Sequence, residues 1–96
     1  MRRPNVLYIC TDQQRYDALS CYGKDRLDTP NIDKLAAEGV LMRNAYCQSP
    51  VCAPSRASFL TGRYPRTCGV RQNGQRMPRQ EKLVTKLFAD AGYTVG

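Results

Sequence analysis

Along the chain, short apolar groups alternate with longer polar stretches, and the spacing within each group changes. The first group, "NVLYIC", is continuous and rich in strand formers. It does not alternate, which suits a strand covered on both faces, as in a parallel sheet. A strand is expected over residues 5–11. The following "TDQQRYDALSCYGKDRLD" reads mainly as loop with a short helical turn. In "TPNIDKLAAEGV", Thr29 can cap a helix and Pro30 fits its first position, where a missing N–H costs nothing. Ile32, Leu35 and Ala36 share one face, and Gly39 is free to stop the helix in the left-handed conformation. "VLMRNAYC" reads as a short strand. A second helix is expected from Pro54 or Ser55 to Gly62, before Pro65. "RTCGVRQNGQRMP" reads as loop. In "RQEKLVTKLFADAG", Leu83, Val84, Leu87, Phe88 and Ala91 form the stripe of a third helix that stops at Gly92. "YTVG" has the look of a strand just begun.

Strand, helix and strand at this spacing open an α/β layer. The fold class expected is α/β, as the first part of a larger domain with a mostly parallel central sheet and flanking helices. On that reading the isolated chain is unstable or oligomeric. No internal repeat or linker interrupts it.

Composition narrows the class. The 96 residues are 42% hydrophobic, which excludes a disordered tail. No apolar run is long enough to span a membrane. The basic start "MRRP" leads into an apolar run too short for a signal peptide, so a cytoplasmic location is expected. The five cysteines, at positions 10, 21, 47, 52 and 68, are an odd number that favours reduced thiols over a disulfide framework.

The net charge of +7 is uneven. Six of the eight acids lie between Asp12 and Glu38, whereas Arg43 to Arg79 holds seven arginines and no acid. Such a segment either attracts anions (nucleic acid, phosphate, sulfate, an acidic partner) or is a solvated surface. Only Tyr46, Phe59 and Tyr64 interleave it and no recognition motif is present, which weighs against nucleic acid.

Candidate chemistry centres on "SPVCAPSRASFLTG". With a helix beginning just after Cys52, that residue faces unpaired N–H groups and the positive end of the helix dipole. Arg56 can reach back toward it. Either this is a reactive thiol beside an anion site, or a small buried hydrophobe beside a structural arginine. Asp12 directly follows the first strand, where α/β sheets place ligands. It is either a ligand for a hard divalent ion or a turn cap. Asn73, in "VRQNGQ", fits a tight turn. Arg63, Arg66 and Arg71 are read as solvated, Cys10 as core, and Cys21, Cys47 and Cys68 as structural or incidental. There is no histidine, no CxxC pair and no glycine-rich phosphate loop.

At these residues the chain resembles the sulfatase family, which shares the alkaline-phosphatase-like architecture. The family signature is Cys, any residue, Pro, Ser, Arg, four residues, Thr-Gly; Cys52, Pro54, Ser55, Arg56 and Thr61-Gly62 match it in full. "RPNVLYICTDQQRYD", "DTPNIDKLAAEGV", "NAYCQSPVCAPSR" and "LFADAGYTVG" also match the usual run of the family. The resemblance covers nearly the whole chain and implies that residues 1–96 are the N-terminal segment of one catalytic domain. It implies that a formylglycine-generating or other sulfatase-maturing enzyme converts Cys52 to formylglycine. One hydroxyl of the hydrated aldehyde then attacks the sulfur of a sulfate ester, and the other expels sulfate. It further implies that Asp12, Gln13 and residue 52 bind Ca²⁺ or Mg²⁺, that Arg56 holds the hydrated aldehyde, and that Asn73 faces the substrate. Many members have two aspartates after the first strand; here the pair is Asp12-Gln13, which leaves the metal and the choice between sulfate and phosphate- or phosphonate-type esters open. The remaining ligands, histidines and lysine of the family are expected after residue 96, so activity is expected of a full-length protein and little or none of this chain alone. The alternatives are a phosphate or phosphonate ester hydrolase of the same superfamily, a small basic anion-binding module, and a catalytically silent fragment.

Overall fold

The computed structural model describes residues 3–23 and 27–96, so the first two residues of the basic start and residues 24–26 of the first long loop lie outside it. The chain divides into two compact units, Met1–Asn44 and Ala45–Gly96. Four α-helices form among the described residues: α1 Pro30–Glu38, α2 Cys52–Thr61, α3 Pro65–Cys68 and α4 Val84–Asp90. None of them is long and apolar enough to cross a membrane. No strand is formed among the described residues. A strand owes its ladder to a neighbour, because extended backbone has no hydrogen bonds of its own. The run expected as the first strand is solvent-facing, with Leu7 84% and Ile9 75% exposed. Cys10, expected in the core, is exposed with it.

In the first unit, two 3₁₀ turns, Tyr16–Ala18 and Ser20–Tyr22, occupy the stretch read as loop with a helical turn. Asp17 is buried and takes two bonds from Arg15, at 2.8 Å from Nε and 2.7 Å from Nη2. That bonding raises the Arg15 pKa above its ordinary value. Helix α1 begins and ends where its punctuation predicts. Its ends work differently from the expectation, however. The Thr29 hydroxyl does not cap the helix N–H groups. It accepts the Ser20 N–H at 3.1 Å and donates to Asp33 Oδ1 at 3.2 Å. Ser20 Oγ donates to Asp33 Oδ2 at 2.6 Å and lies 2.7 Å from Thr29 Oγ1. Two hydroxyl protons therefore serve three O···O contacts. This network, rather than the exposed Leu35 of the apolar stripe, ties α1 to the turn before it. Gly39 sits at φ −118°, outside the left-handed region, and closes the helix by donating its N–H to Leu35 O at 3.0 Å.

In the second unit α2 packs on α3 and α4. Ala57, Cys68 and Val70 form the core, with Ala53 and Met77 against it, and Pro54 is fully buried. Helix α2 starts two residues ahead of Pro54. Proline is accommodated at the third helical position because that N–H would have no partner inside the helix. The helix stops at Gly62, which does adopt the left-handed conformation (φ 67°) and donates to Ser58 O at 2.8 Å. The short α3 falls in the expected loop, nucleated by Pro65 at its first position. Helix α4 is shorter than its apolar stripe suggests, starting after Leu83; Gly92 takes φ 85° beyond its end. Phe88 and Tyr93 pack edge to face at 5.1 Å across that end.

Candidate active site

Helix α2 has no polar cap of its own, since Val51 stands at the N-cap. A hydroxyl or carboxamide there would accept an N–H of the second or third helical residue. Pro54, the third residue, has no N–H. The N–H of the second, Ala53, is taken from outside the helix: it donates to Asn73 Oδ1 at 3.0 Å. The Ser55 N–H closes the first helical bond to Val51 O at 2.9 Å. The helix start is thus assembled from two segments 20 residues apart.

Cys52 is the first residue of this helix and is exposed. Arg56 is four residues on, so both side chains lie on one face. The two line an open pocket of about 490 Å³ together with Asn73, Leu60, Val70 and Met77. The helix dipole biases the pocket positively, and among the described residues no acid lines it. It suits an anion carried on a partly apolar group. Of the two readings open for Cys52, the exposure of the thiol in this chain accords with the reactive thiol beside an anion site.

Asn73 stands in the turn that "NG" predicts, with Gly74 at φ 86°. That turn is tied by Gln75, whose Oε1 accepts the Arg71 N–H at 2.6 Å and the Gln72 N–H at 3.2 Å. Sequence reasoning missed Gln75, Val70 and Met77. Val70 and Met77 were discernible as lone apolar residues in a polar loop, which marks anchors; nothing in the sequence marks Gln75. Of the arginines read as solvated, Arg63 binds Glu81, with Nη1 at 2.9 Å and 3.0 Å from the two carboxylate oxygens. Arg66 and Arg71 line a second pocket with Tyr64.

Asp12 and Gln13 belong to the first unit, whereas Cys52, Arg56 and Asn73 belong to the second. Gln13 takes φ 52°, a left-handed conformation uncommon for a residue with a side chain, and so turns the chain sharply after Asp12. A carboxylate and a carboxamide oxygen are hard donors and fit Ca²⁺ or Mg²⁺. They are a partial set: among the described residues no group of three or more His, Cys, Asp or Glu comes together to hold a metal.

A family model described as Sulfatase matches residues 4–96. The chain is 44% identical over 91 residues to an ulvan-active sulfatase of Formosa agariphila, covering 95% of this chain and 18% of that protein. It is 42% identical over 93 residues to an uncharacterized sulfatase, YidJ, of Escherichia coli, covering 97% and 19%. It is 40% identical over 104 residues to a steryl-sulfatase of Rattus norvegicus, covering 97% and 18%. The chain therefore spans less than a fifth of the length of these relatives. No solved structure gives a significant match.

Proposed function

The chain belongs to the sulfatase family, and from that premise we propose that the longer protein it contributes to hydrolyses a sulfate ester, with residue 52 as the nucleophilic centre. The observation that carries this reading is the placement of the signature. The run from Cys52 to Gly62 folds as one helix and its left-handed stop, with Cys52 exposed at the first position and Arg56 one turn on. Both line a pocket that no acid among the described residues enters. The Cys52 thiol is the group that a maturing enzyme, supplying the oxidant, would convert to formylglycine, with the Cβ–S bond broken, the sulfur released and a Cβ=O bond formed; the hydrated aldehyde would supply a hydroxyl nucleophile and a second hydroxyl for release of sulfate. Arg56 offers directed donors to the anionic ester and to the oxygens of residue 52. The start of α2 favours the charge that gathers on the sulfate oxygens. Asp12 and Gln13 would contribute oxygens to a bound Ca²⁺ or Mg²⁺, which supplies Lewis-acid polarisation when present. On this reading the fold is α/β, with residues 5–11 as an inner strand of a sheet completed by further chain.

The test uses the full-length protein produced with a maturing enzyme. Mass spectrometry of the peptide around residue 52 should show thiol replaced by aldehyde. 4-Nitrophenyl sulfate should be hydrolysed in the presence of Ca²⁺ or Mg²⁺, and Cys52→Ala should abolish turnover, by roughly 10⁴-fold or more. An active protein whose residue 52 is wholly unmodified thiol would overturn the proposal. Turnover of phenyl phosphonate or phosphate esters with no sulfate ester turnover would move the substrate to the phosphorus-centred branch.

A further inference from the structure

The start of α2 has an unusual dependence. Among the described residues its side-chain cap comes from Asn73, 20 residues away, through the Ala53 N–H. Ala53 is the residue directly after the proposed nucleophile. We infer that Asn73 is a positioning residue: by holding the Ala53 N–H it fixes the first turn of α2, and with it the direction in which the side chain of residue 52 leaves the helix. This deepens, and rests on, the reading of residue 52 as the nucleophilic centre.

Three features support a positioning role. The carboxamide oxygen of Asn73 accepts the Ala53 N–H. The turn carrying Asn73 is itself held, since Gln75 Oε1 accepts both the Arg71 and the Gln72 N–H groups. The rest of the first turn offers no substitute: Val51 has no polar side chain, and Pro54 is fully buried and has no N–H. Without Asn73 the Ala53 N–H must turn to solvent or to the bound anion, and the turn loses its fixed point. Cys52, as the terminal helical residue, would fray first.

The experiment compares full-length wild type, Asn73→Ala, Asn73→Asp and Gln75→Ala. Each rate is normalised to the fraction of residue 52 converted to aldehyde, measured by mass spectrometry. The substrate is 4-nitrophenyl sulfate, and amide hydrogen exchange is followed at Ala53 and at Leu60 farther along the same helix. Asn73→Ala should lower kcat by roughly 10- to 100-fold, because a small misplacement of a reacting atom is costly, with KM within about threefold of wild type. Exchange at Ala53 should quicken by about fivefold or more, the worth of one hydrogen bond, with Leu60 little changed. Asn73→Asp keeps an acceptor oxygen, so it should retain Ala53 protection while raising KM, because its charge opposes an anionic ester. Gln75→Ala should shift Ala53 exchange and kcat in the same direction as Asn73→Ala, by less. A rise in KM alone in Asn73→Ala would make Asn73 a substrate ligand and overturn the inference; so would unchanged exchange at Ala53. If Asn73→Ala fails to fold, Gln75→Ala and Asn73→Asp decide the matter. The exchange comparison needs no turnover, so it reports on positioning even if the protein proves inactive on sulfate esters, and the two readings fail separately.

Discussion

Gln13 holds a left-handed backbone, φ 52°, directly after the carboxylate of Asp12. For a residue with a Cβ this costs about 1–2 kcal/mol. Strain of this kind gathers where a chain must aim a side chain, here at the turn that presents Asp12. Aspartate tolerates the conformation better than glutamine, and it would add a charged oxygen beside Asp12. Gln13→Asp in the full-length, metal-stripped protein should therefore tighten Ca²⁺ or Mg²⁺ binding by about tenfold, since affinity follows the number of charged oxygen ligands. Calorimetric titration reads this directly. An unchanged affinity would mean that residue 13 turns the chain without touching the ion. At Gly62 the same physics runs the other way. Its φ of 67° ends α2 in open space, where an added Cβ meets no atom within 4 Å. Gly62→Ala should cost about 1 kcal/mol through backbone strain alone, visible as a lowered urea midpoint with an unchanged slope.

At the scale of elements, the second unit is held as much by polar ties as by its small core. Glu81 is nearly enclosed, with its side chain 7% exposed, while its partner Arg63 is 50% exposed. Removing the carboxylate leaves the arginine free to hydrate, so Glu81→Ala should cost only about 1 kcal/mol, and Arg63→Ala somewhat more because it strands an enclosed charge. Thermal melts of the two single variants and the double variant separate these effects: the double should cost less than the sum. The elements also show what was legible in the sequence. Helix α1 was readable at both ends because Pro30 and Gly39 are local signals, although Thr29 turns its hydroxyl to Ser20 and Asp33 and not to the helix start. The stop of α2 at Gly62 was readable for the same reason. Its start was not, because Pro54 looks like a first residue and the cap that permits the earlier start comes from Asn73, far away in sequence. Helix α3 went unread because four residues give no period. For the candidate site, the signature residues and Asn73 were legible as residue types. The pocket they share was not, since Val70, Gln75 and Met77 join it through tertiary contact.

At the scale of the whole molecule, the apolar run from Val6 to Ile9 carries the largest consequence. These side chains are between 61% and 84% exposed, and Asp17 is the only buried residue among those described in the first unit. Nothing in the run itself favours exposure; it is a β-branched, aromatic and aliphatic series of the kind that fills the interior of a parallel sheet. Covering one such aliphatic side chain stabilises by about 1.5–3 kcal/mol, so the run as an inner strand would be a principal source of stability in the proposed α/β domain. This gives a paired prediction on one substitution. In the full-length protein Leu7→Asp should lower unfolding free energy by about 3 kcal/mol or more, because it places a charge in an apolar layer. In the 96-residue chain alone, where Leu7 already faces solvent, the same substitution should change little, within about 0.5 kcal/mol. That isolated chain should also bind an apolar dye and unfold in urea over a broad range, since a core of Ala57, Cys68 and Val70 is small support for cooperativity. Urea titrations of the four proteins measure all of this together. Tolerance of Leu7→Asp by the full-length protein would show that residues 5–11 are no inner strand, and the proposed sheet would lose its first member.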